Sequence, residues 1–256
     1  MHLKRLAKNL LSRAGYEISA RPRPIYGTRD AFDRDLAIVR GNTMLPEPRL
    51  LSLYDQVVFC EQNDIEGAFV ECGVWKGGAV GLMALAASAP GSRALHLFDA
   101  FTDICEPDPA VDGAKAVAEA SRVAVPEGRL QPMEGIYDSI GGHGTLEECR
   151  ALIEQRIGYP ADRVHYHVGW FQDTMPRSAK SIGPVAILRI DGDWYASTKV
   201  CLDHLVDLVA PGGFVIIDDY GCIPACKKAV EDYRSAHGIV EPVVTIDWSG
   251  VYWRRT

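Results

Sequence analysis

The feature that most restricts how this chain can fold is a repeated pattern. Short stretches rich in apolar residues each run into a glycine or a carboxylate and then into a helical pattern. They lie at Ala68–Glu71, Ala94–Phe98, Val164–Val168, Val185–Ile190 and Gly213–Ile217. Apolar runs of this length, bounded by turn residues, read as strands buried on both faces. Helical periodicity fills the gaps: Leu50, Leu53, Tyr54, Val57 and Val58 before the first strand, then Ala79–Ala87, Asp112–Arg122, Leu146–Ile157 and Thr198–Val209, the last stopped by Pro211-Gly212-Gly213. Strands that alternate with helices form a parallel sheet covered on both sides, the doubly wound α/β architecture. The end of the chain breaks the rhythm. After a helix at Pro224–Ala236, the runs Val243–Ile246 and Val251–Trp253 flank Asp247-Trp248-Ser249-Gly250 as a hairpin, so an antiparallel strand should close an otherwise parallel, seven-stranded sheet.

With 256 residues, 47% of them apolar, the chain can build one large core but not two comfortable ones. The expected division is an N-terminal helix and arm or lid over residues 1–48, followed by one domain over residues 49–256. A net charge of −7 leaves no broad cationic surface for a phosphate backbone, which argues against nucleic acid as a partner. The seven cysteines lack metal-ligand spacing, and Cys222 and Cys226 have three residues between them rather than two. They read as reduced thiols of a cytoplasmic protein. No apolar run reaches the roughly 20 residues needed to span a bilayer, and no signal-peptide segment is expected. Leu3, Leu6, Leu10 and Leu11 alternate with Lys4, Arg5, Lys8 and Arg13 as a basic amphipathic helix. Packing on its own domain or on a second subunit of a homo-oligomer is favoured over a membrane surface, which one short helix binds weakly. Arg21-Pro22-Arg23-Pro24 ends that helix.

Chemistry-bearing residues collect at the strand ends. Glu71-Cys72-Gly73-Val74-Trp75-Lys76-Gly77-Gly78 is a glycine turn between a strand and a helix, and its backbone can approach a ligand closely. It matches neither the Gly-x-Gly-x-x-Gly fingerprint nor a phosphate loop. The acidic Glu71 would repel a pyrophosphate, yet it suits the ammonium or hydroxyl groups of S-adenosylmethionine. Asp99 closes the second strand, where a carboxylate can accept hydrogen bonds from ribose hydroxyls. Val168-Gly169-Trp170-Phe171-Gln172-Asp173-Thr174, following the third strand, either borders an adenine ring with its aromatics or packs its tryptophan in the core. Asp191-Gly192-Asp193 and Asp218-Asp219 follow the fourth and fifth strands and bring four carboxylates to one region. Such a cluster requires a cation or shifted protonation, and all-oxygen ligands favour magnesium, calcium or manganese over zinc. His96, His165 and His167 read as packed strand residues, whereas His143, in a glycine-rich loop, is a candidate to face substrate. Trp194 and Tyr195 either shape the acceptor pocket or pack.

Together, Glu71–Gly78, Gly169–Pro176, Leu188–Tyr195 and the run from Pro211 to Arg255 resemble the macrocin O-methyltransferase family. The resemblance implies a Rossmann-like class I methyltransferase fold. It also implies a cofactor pocket for S-adenosylmethionine drawing on Thr43, Met44, Glu71, Cys72, Gly73, Val74, Trp75, Asp99, Gly169 and Trp170. It implies magnesium held by Asp191, Asp218 and Asp219, and Asp193 as the general base. Ala100 stands where the family commonly has serine, and residues 103–144 depart from its pattern, so the acceptor pocket is the divergent part. The expected substrate is a small molecule offering two neighbouring hydroxyls, such as a sugar diol. A metal-dependent glycosyltransferase using Asp191-Gly192-Asp193 and a non-catalytic binding protein of the same fold are the rival readings.

Overall fold

A computed structural model describes residues 22–89, 91–110, 112–114, 133 and 135–256. The expected amphipathic helix near the N-terminus lies outside the described residues, as does most of the one at 112–122. Helix α1 (Arg29–Val39) and helix α2 (Glu47–Gln62) precede β1 (Ala68–Cys72), α3 (Gly78–Ala86) and β2 (Leu95–Asp99). Helix α4 (Leu146–Arg150) runs on as a π-helix over Ala151–Arg156. Then come β3 (Val164–Val168), α5 (Phe171–Ser178), β4 (Val185–Ile190), α6 (Tyr195–Leu205), β5 (Val209–Ile217), α7 (Pro224–Ala236), β6 (Val244–Thr245) and β7 (Val251–Arg254).

The strands form one seven-stranded sheet in the order β3-β2-β1-β4-β5-β7-β6. It is parallel except for β7, which is antiparallel to both neighbours. This is the Rossmann-like arrangement of class I methyltransferases. Its register aligns the carboxyl ends of the central strands: Cys72 pairs with Phe98 and with Ile190, and Ile190 pairs with Ile217. The next residues along, namely Gly73, Asp99, Asp191 and Asp218, therefore stand in one row at this end of the sheet. The order of strands reverses at β1, where β2 and β4 flank it, and ligands of open parallel sheets bind at such a switch point.

Alternate strand residues supply the two cores. Phe69, Leu95, Leu97, Ile187, Phe214 and Ile216 pack against the first three helices on one face. Val70, Cys72, Phe98, Leu188, Ile190, Val215 and Ile217 pack with residues of α5, α6 and α7 on the other. Among the described residues, no helix is long and apolar enough to cross a membrane.

Two sequence expectations change. Residues 29–39, expected as arm or lid, form helix α1 and bury Phe32 and Val39 completely in the main core. The packed domain therefore begins before Arg49. Pro211-Gly212-Gly213, expected to stop a helix, lies inside β5, and helix α6 ends earlier, at Leu205. The pairing of β4 with β5 slips between Val185 and Ile187, where Val185 faces Val209 but Ile187 faces Phe214. A proline, which lacks an N–H, is tolerated at such an irregularity.

Candidate active site

The row of strand ends forms the floor of a cavity of about 570 Å³. Thr43 and Met44 reach it from the segment before α2, Glu71, Gly73, Val74 and Trp75 from the turn after β1, Asp99 from β2, and Gly169 and Trp170 from the turn after β3. Cys72 is the exception: it is fully buried in the core on the other face, because alternate residues of a strand point to opposite sides. Asp191, Asp193, Asp218 and Asp219 line the same cavity.

The turn after β1 depends on glycine. Gly73 has φ +83°, and a Cβ there would stand 2.1 Å from the Asp191 carbonyl oxygen. Asp99 holds this turn in place. One carboxylate oxygen accepts from the backbone N–H groups of Val74 (2.6 Å) and Trp75 (3.0 Å), the other from that of Phe101 (2.7 Å). Burial raises the Asp99 pKa, and these three backbone donors oppose the rise.

Glu71, which reaches the cavity, also has a structural part. It is fully buried, with one oxygen accepting from the Val80 N–H (2.9 Å) and the other from the Arg189 guanidinium (2.8 Å). Its carboxylate therefore braces the start of α3 from beneath the turn. Burial pushes its pKa up to about 7 in spite of Arg189.

Arg189, which sequence reasoning passed over, organises the acidic cluster. Beyond Glu71 it donates to Asp191 (2.9 Å) and Asp218 (2.7 Å). Arg49 of α2 donates to the other Asp218 oxygen and to Asp247 (2.9 Å). The available signal was an arginine inside the apolar strand Val185–Ile190, in register with Glu71 of β1.

Asp218 is thus held between two guanidinium groups. The carboxylates that converge are Asp191, Asp193 and Asp219, with one oxygen of each lying within 4.8 Å of the others. The expected set was Asp191, Asp218 and Asp219; each Asp218 oxygen accepts from one guanidinium, of Arg49 or of Arg189, and Asp218 still lines the cavity. The pKa of Asp219 is raised far above the usual carboxylate range, first by burial and then by Asp191 and Asp193. Asp193 is raised too, by burial and by Asp191. Carboxylates so crowded, with Arg189 paired to Asp191, fit a hard divalent ion, whose charge would relieve the remaining repulsion. Asp193 and Trp75 also carry positive φ (55° and 49°), a strained backbone of the kind that collects at functional sites.

The profile of the macrocin O-methyltransferase family (TylF) matches residues 9–138 and 146–255. The chain belongs to this family. It is similar to the 8-demethyl-8-(2,3-dimethoxy-alpha-L-rhamnosyl)-tetracenomycin-C 4'-O-methyltransferase of Streptomyces olivaceus, at 37% identity over 84% of this chain and 76% of that protein. The mycinamicin III 3''-O-methyltransferase of Micromonospora griseorubida is 35% identical over 84% of this chain and 79% of its own length. Among solved structures, the O-methyltransferase NovP aligns with a TM-score of 0.67 and 30% identity, over 98% of this chain and 97% of its own.

The protein is therefore an O-methyltransferase, and the glycosyltransferase reading of Asp191-Gly192-Asp193 falls away. Besides Arg49 and Arg189, this O-methyltransferase's cavity has lining residues that were not foreseen, Tyr137 and Trp248 among them. Tyr137 comes from a loop that accepts hydrogen bonds from Trp75 and Lys76 through the carbonyls of Gly142 and Gly141. Burial, followed by Asp193, Asp191, Asp99 and Asp219, raises the pKa of its hydroxyl. Trp248, at the hairpin tip, has no local motif to mark it. His143 does not line the cavity and stands 3.9 Å from Asp103. Trp194 lines it, with its indole N–H donating to the Cys105 carbonyl, whereas Tyr195 turns away to Asp232. His96 is buried beside His167, as expected of a packed residue, but His165 is exposed.

Proposed function

We propose that this O-methyltransferase moves the methyl group of S-adenosylmethionine to a hydroxyl of a sugar on a glycosylated natural product, beside a magnesium ion held by Asp191 and Asp219. The observation that carries the reading is the convergence of Asp191, Asp193 and Asp219 in the same cavity as the glycine turn and Asp99. The names of the relatives from Streptomyces olivaceus and Micromonospora griseorubida support the sugar acceptor.

Asp99 already accepts three backbone N–H groups, and a carboxylate has about four lone-pair sites, so it keeps capacity for a ribose hydroxyl. Trp170 and Met44 offer apolar wall to the cofactor. The sulfonium supplies an activated methyl group, and magnesium supplies Lewis acidity toward an acceptor oxygen. With S-adenosylmethionine bound, the Asp193 carboxylate would take the hydroxyl proton of the acceptor as that oxygen replaces sulfur on the methyl carbon, S-adenosylhomocysteine being left. The cavity, lined by residues of both the glycine turn and the acidic cluster, would hold the two reactants side by side.

The test is transfer of labelled methyl to a rhamnosyl glycoside, with and without magnesium. Activity should vanish on chelation, return with magnesium and require a neighbouring hydroxyl on the sugar. Asp219→Ala should lose both turnover and metal affinity, whereas Asp193→Asn should lose turnover and keep more of the metal affinity. Full activity in metal-free buffer, or equal rates on a deoxy sugar lacking the neighbouring hydroxyl, would refute the metal's role. Binding of uridine diphosphate in place of S-adenosylmethionine would refute the cofactor.

A further inference from the structure

An exposed tryptophan on a protein surface needs no explanation by itself. Trp248 calls for one because of where it stands and how firmly it is held. Its side chain is 74% exposed and also forms part of the cavity wall, as does Met44, which is 50% exposed. Asp218 and Asp219, by contrast, are only 5% and 7% exposed. The cavity thus runs from buried carboxylates to a mouth lined by apolar side chains.

The mount of the indole is rigid. Asp247 accepts from the backbone N–H groups of Ser249 (2.9 Å) and Gly250 (2.7 Å) with one oxygen and from Arg49 (2.9 Å) with the other. The Ser249 hydroxyl donates to the Asp218 carbonyl (2.7 Å), and the Ser249 carbonyl accepts from the Gly221 N–H (2.9 Å). A Cβ at Gly221 would stand 2.2 Å from the Trp248 carbonyl oxygen, so the hairpin tip lies directly on the loop that carries the acidic residues. The Arg49 guanidinium sits over the indole, 5.6 Å from its centroid. A stiff aromatic anchor with few rotatable bonds gives contact area at low entropic cost.

We propose that Trp248 is the platform on which the aglycone of a glycoside acceptor stacks, which makes it a specificity-determining residue. The inference rests on the reading above that the acceptor is a glycoside. A cavity of about 570 Å³ is the size of a site for one drug-sized ligand, so a cofactor leaves room for little more than the reacting sugar. Whatever that sugar is attached to must leave through the mouth, past Trp248. A planar or apolar group there covers the indole face, whereas the sugar itself lies deeper, at the carboxylates.

The test is calorimetric binding to the protein loaded with S-adenosylhomocysteine and magnesium, using p-nitrophenyl and methyl α-L-rhamnopyranoside as probes. Trp248→Ala should weaken binding of the aryl glycoside by about tenfold, leave the methyl glycoside within about twofold, and Trp248→Phe should restore most of the loss. Equal weakening of both probes would place the indole against the sugar and overturn the proposal, as would no change in either. A lower melting temperature or an altered oligomeric state without selective loss would make Trp248 a packing surface, which also overturns it. If the wild-type protein binds neither probe, the glycoside reading itself fails and the inference falls with it; if it binds both and the variants match it, the inference fails alone.

Discussion

Arg189 serves three carboxylates at once, and its side chain is almost wholly removed from water. Arg189→Met keeps the volume but leaves Glu71, Asp191 and Asp218 with less compensation, and breaking a buried pair from one side costs about 3–5 kcal/mol. Urea denaturation should show a loss of that size, and adding Glu71→Gln should recover part of it by removing the most deeply buried of the stranded anions. A loss below about 1 kcal/mol would mean that the network is dispensable. The histidines of β2 and β3 make a separate, pH-dependent contribution. Burial first, then neighbouring histidines, lowers His96 to about 3 and His167 to about 4. The unfolded chain takes up protons below about pH 6.5 that the folded chain refuses. The stability these rings contribute is therefore complete above that value and is lost as the pH falls toward 4 and then 3. Melting temperatures measured from pH 7 to pH 4 should fall, and His96→Phe, which keeps a stacking ring without a titrating one, should fall less steeply.

Among the elements, helix α1 shows how a segment rich in charge can still belong to the core. Charged residues alternate with apolar ones along it, yet Phe32 and Val39 are fully buried and Phe32 meets Tyr54 edge-to-face at 5.4 Å. Phe32→Ala should cost about 3–5 kcal/mol in equilibrium unfolding. A cost near zero would restore the view of this segment as a detachable lid. The turns at the carboxyl ends of β1, β2 and β4 share a different property. Trp75, Phe101 and Asp193 all adopt positive φ there, so backbone strain is concentrated where the sheet meets the cavity.

For the molecule as a whole, the two proposed ligands should stabilise the fold independently. A ligand at 100 times its dissociation constant adds about 2.7 kcal/mol. Magnesium and S-adenosylmethionine should each raise the melting temperature of the wild-type protein. Asp219→Ala should lose the magnesium increment and keep that of the cofactor, because Asp219 belongs to the acidic cluster and not to the glycine turn. Loss of both increments would indicate that the variant has disturbed the whole cavity and would not support separate sites.

The sequence by itself determined the alternation of strands and helices, the terminal hairpin and the gathering of Asp99, Asp191, Asp193, Asp218 and Asp219 at one edge of a sheet. These follow from local patterns of apolar residues and from the rule that ligands meet parallel sheets at the carboxyl ends of their strands. Only the tertiary structure decided how the charges pair. Glu71 and Asp218 have the same local character as Asp99 and Asp219, but Arg189 and Arg49 reach them from other elements, 118 and 169 residues away in the chain. Those ion pairs make Glu71 a brace of the turn and tie Asp218 to two guanidinium groups. Cys72 is a different case: the two-residue alternation of β1 already turns it into the core opposite to Phe69. The pairing of charges depends on which side chains meet across the fold, and no spacing along the chain encodes that.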